Sequence, residues 1–78
     1  MSLDGRLRQV FSDVLGIADG EAGAASAESV EGWDSVTHLR LVLALEGEFG
    51  IQFEAEEIPS LVSFEIVRDS VGRLVGTP

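Results

Sequence analysis

The sequence contains no cysteine and no lysine, and it has only one histidine, one tryptophan and two prolines. Without cysteine neither a disulfide framework nor a thiolate metal site can form, so any thiol chemistry has to be brought by an attached group. The five basic residues are all arginines, Arg6, Arg8, Arg40, Arg68 and Arg73, against fourteen acids, for a formal net charge of −9. Binding a phosphate backbone needs clustered positive charge, which argues against nucleic acid as a direct partner. Basic protein surfaces are the natural complement. No apolar run approaches the ~20 residues of a membrane span and no secretory leader is recognisable, so a cytoplasmic domain without a membrane partner is expected. An Asp-x-Asp-x-Asp-Gly loop is also missing, so the acids do not read as a calcium-binding hand.

What is present fits one small domain. Seventy-eight residues bury only about 60 to 65% of the unfolded surface, which leaves little room for a pocket plus catalytic machinery. One monomeric domain over residues 1–78, with an ordered core over about 3–75, is the expectation. Residues 2–15 place Leu3, Leu7, Val10, Phe11 and Val14 at three- and four-residue spacing, one face of an amphipathic helix, with Ser2 as its cap and Gly16 as its stop. Residues 18–32 are small, acidic and glycine-bearing, a long loop with room for a short helical turn within 22–28.

Residues 32–53 are the most informative stretch. Asp34 or Ser35 can cap a helix over 35–49, since either side-chain oxygen can accept a free first-turn N–H. If Asp34 is the cap, Ser35 stands at the first helical position with its hydroxyl free, at the positive end of the helix, where a phosphate is stabilised. At ~100° per residue, Leu41, Val42, Leu45 and Phe49 share a core stripe, while Val36 and Leu43 fall on the opposite side beside Arg40 and Gly47. Trp33 reads as an aromatic staple on the helix start. Residues 51–53 read as an extended connector, residues 54–58 as one helical turn ended by Pro59, and residues from Ser63 onward as a last helix burying Phe64, Val67, Val71 and Leu74. The class is therefore all-α: a small four-helix bundle with a long first loop and a short third helix. Glu46, Glu48, Glu54, Glu56 and Glu57 around the exit of the central helix read as solvated charge that also steers basic partners over a screening length of ~8 to 10 Å.

The run Asp34-Ser35-Val36, then Leu39, Leu41-Val42-Leu43-Ala44-Leu45-Glu46 and Glu48-Phe49-Gly50-Ile51 resembles the acyl carrier protein signature. The resemblance extends over residues 3–74. It implies that Ser35 carries a 4'-phosphopantetheine arm taken from coenzyme A, that Asp34 belongs to the attachment motif, and that the domain itself is not an enzyme. A phosphopantetheinyl transferase, an acyl-loading enzyme, a ketosynthase and other acyl-processing enzymes are the partners it implies. Val36, Arg40, Leu43 and Gly47 then form the expected docking face, and His38, Leu45, Phe53 and Ile58 the expected acyl pocket. Ser35 and His38 could also suggest a hydrolase, but no third group to orient the imidazole and no oxyanion donors are visible. Thr37, Arg40 and Gly47 stand where carriers of general fatty-acid synthesis tend to place acids, so the resemblance points to polyketide or other specialised biosynthesis. Aminoacyl transfer, primary fatty-acid synthesis and an unmodified acidic interaction module are the alternatives.

Overall fold

A computed structural model describes residues 3–76. Four α-helices follow in order: α1 (Leu3–Leu15), α2 (Asp19–Ala22), α3 (Ser35–Phe49) and α4 (Phe64–Val75), with a 3₁₀ turn (Ile58–Ser60) before the last. Among the described residues the only β pairing is a single antiparallel bridge between Ser26 and Ser63. Ala27 N–H donates to Val62 C=O and Phe64 N–H to Ala25 C=O, which pins the long loop to the start of α4. No described helix is long and apolar enough to cross a membrane.

The helices form where the apolar spacing asks for them. In α1 the buried stripe is Leu7, Val10 and Phe11, with Leu3 and Val14 packed at its edges. The expected Ser2 cap lies outside the described residues. Gly16, at φ 70°, supplies the left-handed residue that ends α1, and its N–H returns to Ser12 C=O at 2.9 Å. Gly50 does the same for α3 at φ 64°, a conformation in which a side chain would be strained. α1 packs chiefly on α3 and α2. Phe11 is the hub: it is fully buried, edge-on to Trp33 at 5.8 Å and to Phe64 at 5.0 Å between ring centroids.

Three expectations need correction. The helical turn in the long loop is α2 at Asp19–Ala22, which overlaps the expected range 22–28 only at Ala22. Asp19 and Glu21 favour its positive end, Glu21 reaches back to Ala18 N–H, and Ala22 is buried against the core. Pro59 does not end the expected turn over 54–58, which Ile58 N–H closes onto Glu54 C=O at 3.3 Å. It sits at the start of the 3₁₀ turn, where a missing N–H costs nothing. Leu74 is 38% exposed, because the depression it lines is walled by Glu54, Glu56, Glu57 and Arg73, which offer no apolar cover. Ser70 is buried on that side of α4, its hydroxyl donating to Glu57 Oε2 at 3.0 Å.

The acids near the exit of α3 are largely tied to the fold. Glu46 Oε2 accepts from Phe53 N–H at 2.9 Å and so holds the connector over 51–53. Glu48 receives Arg6, whose guanidinium also lies 4.5 Å from the Phe49 ring centroid. Glu57 binds Arg73 and Ser70 and thereby joins the 3₁₀ turn to α4. Burial pushes the Glu57 carboxyl up, but the hydrogen bonds from Arg73 and Ser70 and the Arg73 charge outweigh it, and the net shift is downward from 4.5. A lowered acid favours the folded state above its unfolded value, and that contribution drains away as pH falls through the lower folded value. Glu57→Gln is therefore expected to lower stability at neutral pH by about 1 kcal/mol, after allowing for solvent around Arg73, and to flatten the loss below pH 4.5. Thermal melts of both chains at several pH values measure this.

Candidate functional site

Asp34, not Ser35, is the cap of α3. Its backbone is extended (φ −101°, ψ −172°) and its Oδ1 accepts from Thr37 N–H at 2.9 Å. That hydrogen bond is the main reason its carboxyl lies below 3.8. With the cap assigned, Ser35 falls at the first helical position and is exposed. Every other described serine has its hydroxyl in a hydrogen bond: Ser12 with Ile17 C=O, Ser26 with Ser29, Ser60 with Glu57 C=O, Ser63 with Ile66 N–H and Ser70 with Glu57. Among the described residues the Ser35 hydroxyl alone has none. It projects from the positive end of a 15-residue helix, where an attached phosphate is stabilised.

His38 closes the floor beside it. Trp33 Nε1–H donates to His38 Nδ1 at 3.0 Å, and His38 Nε2 lies 2.8 Å from Ile58 C=O. Indole nitrogen can only donate, so Nδ1 accepts and Nε2 carries the hydrogen given to Ile58. Trp33 and His38 flank the cap residue at the two staple positions, their rings 6.2 Å apart and 24° from parallel. Both ring nitrogens are occupied and neither hydrogen bond involves Ser35, which removes the base a serine hydrolase needs. His38 instead ties the start of α3 to the 3₁₀ turn. His38→Ala is expected to cost about 1 to 3 kcal/mol, because it leaves the indole N–H of the 6%-exposed Trp33 unpaired. Trp33 emission and denaturant unfolding read it out.

A groove of about 570 Å³ opens next to Ser35, lined by His38, Leu39, Ile58, Pro59 and Val62 among others. Two of the four expected pocket residues, His38 and Ile58, line it. Leu45 and Phe53 do not: at 0% and 5% exposure they belong to the buried core cluster. A larger depression of about 910 Å³ lies between the end of α1 and the long loop, against Leu15, Ile17, Glu21 and Val30, and Ser35 is not part of it.

Val36, Arg40, Leu43 and Gly47 are all exposed on one side of α3. Leu39 joins them at 58% exposure and also borders the groove. Its place three residues after Val36 and four before Leu43 is the helical spacing that reveals it. Trp33 as the donor that orders His38 carried no comparable signal, since nothing in the sequence says which way a loop indole points.

A free hydroxyl at a helix start, an open groove beside it and an uncovered helix face suit a covalent tether for a long flexible group. A family model described as phosphopantetheine attachment site matches residues 5–67, from α1 into the first turn of α4.

Proposed function

Because the chain belongs to the phosphopantetheine attachment-site family, whose members carry covalent 4'-phosphopantetheine, we propose that Ser35 is the residue that holds the arm. The observation that carries this is the hydroxyl itself, exposed and without a hydrogen bond at the positive end of α3 while every other described serine is engaged. The arm supplies a thiol that holds an acyl group as a thioester, in a protein that has no cysteine of its own. Asp34 contributes by taking the Thr37 N–H, which leaves Ser35 free and adds a carboxylate one residue away for the transferase and its metal ion to recognise.

The carrier presents its cargo to enzymes of a polyketide or related specialised pathway, meeting them through Val36, Leu39, Arg40, Leu43 and Gly47. Arg40 in an otherwise apolar face supports this over general fatty-acid synthesis, where acids occupy that side. The groove gives the near end of the acyl chain a place against His38, Leu39 and Ile58, and the sealed core keeps the remainder outside. Incubation with coenzyme A and a promiscuous phosphopantetheinyl transferase is expected to add one arm to the intact mass, mapped to Ser35 by peptide fragmentation. No added mass, or an arm on another serine, overturns the assignment.

A further inference from the structure

Four of the five arginines are engaged. Arg6 binds Glu48, Arg68 faces Asp4 at 3.8 Å, Arg73 binds Glu57, and Arg8 lies over the Phe64 ring and donates to Asp19 C=O. Arg40 has no acid, ring or carbonyl partner among the described residues. In a chain with fourteen acids and a net charge of −9, an unsatisfied cation is the exception. The cause lies in α3: between Asp34 and Glu46 the sequence has no acid, and the residues three and four positions from Arg40 are Val36, Thr37, Leu43 and Ala44. Val36, Leu39 and Leu43 around it are 66%, 58% and 67% exposed. Three large aliphatic side chains uncovered together on one helix face mark a contact surface.

Resting on the carrier reading, we infer that this face docks protein partners whose matching surface has an apolar recess with an Asp or Glu carboxylate set to meet Arg40. That sign is opposite to what the overall charge calls for. The remaining acidic surface draws basic regions of a partner at long range, where only net charge matters. Arg40 acts at contact, where the carboxylate it meets fixes the register of the helix and a basic residue in its place is repelled. Arg40 lies roughly 7.5 Å further along the helix axis than Ser35, at a rise of 1.5 Å per residue, and about 140° around it. Its partner is therefore on the enzyme body and not the arm's own phosphate.

The test uses covalent loading as its readout. A promiscuous phosphopantetheinyl transferase with a basic carrier-facing rim is compared with a version of the same enzyme in which those rim residues are replaced by Glu. Each loads the wild-type chain, Arg40→Glu, and Arg68→Glu as a control with the same change in net charge. The ratio of kcat/KM values, Glu rim over basic rim, is expected to fall about tenfold for Arg40→Glu and to stay within about twofold for Arg68→Glu. An unchanged ratio for Arg40→Glu, or an equal change for Arg68→Glu, overturns the inference while loading itself leaves the Ser35 assignment intact. Absence of loading in every pairing removes that assignment, and this inference with it.

Discussion

The Ser35→Ala chain is expected to gain no mass on incubation with coenzyme A and transferase, while its melting curve overlays that of the wild type. The two halves of this result come from one geometry. The Ser35 side chain is exposed and its hydroxyl has no hydrogen bond among the described residues, so removing it takes away no interaction described in the fold. Alanine is also the better helix former, and an exposed substitution of this kind stays within about 0.5 kcal/mol. The cap that starts α3 belongs to Asp34 and survives. Loss of the arm, by contrast, is expected to be complete, because among the described residues every other serine has its hydroxyl in a hydrogen bond. A chain that loses both loading and stability would mean that Ser35 is a structural cap, contrary to the geometry.

Phe11→Ala reverses the pattern and should have the largest effect on stability. Phe11 is fully buried and gives its ring to both Trp33 and Phe64, so it joins α1, the loop before α3 and the start of α4. Truncating a buried phenylalanine costs about 3 to 5 kcal/mol. A domain of this size has a total stability at the low end of about 5 to 15 kcal/mol, so the variant is expected to be near half-unfolded at room temperature. Denaturant unfolding followed by Trp33 emission measures it, since Trp33 lies against the deleted ring. Loading by the transferase should fall with the folded fraction. A variant within 1 kcal/mol of wild type would show that the three-ring cluster relaxes around the cavity instead of depending on Phe11.

The helices were legible because their signals are local. The span of α3 follows from a cap residue, an apolar stripe and a glycine that can turn left-handed, all within neighbouring residues. The same holds for Ser63 as the cap of α4 and Gly16 as the stop of α1. Leu74 is more exposed than its stripe implies, because periodicity says which way a side chain faces but not whether another segment reaches that turn to cover it. Pro59 lies inside the 3₁₀ turn, a place the sequence does not reveal because a proline is equally at home in a first turn and beyond a last one. Leu45, on its helical stripe, and Phe53, in the connector, both point inward, yet inward means filled core and not cavity.

From residue order alone came the all-α class, the span of the central helix, and a short set of candidates around Ser35. The tertiary structure decided how each candidate is placed and bonded. It gave the cap to Asp34, turned His38 into a brace between Trp33 and Ile58, and, among the described residues, left the Ser35 hydroxyl free and Arg40 as the arginine without a partner. Helix formation depends on residues three and four apart, which a linear sequence displays. Hydrogen-bond and ion-pair assignments depend on which distant segments arrive next to each group, and only packing settles that competition.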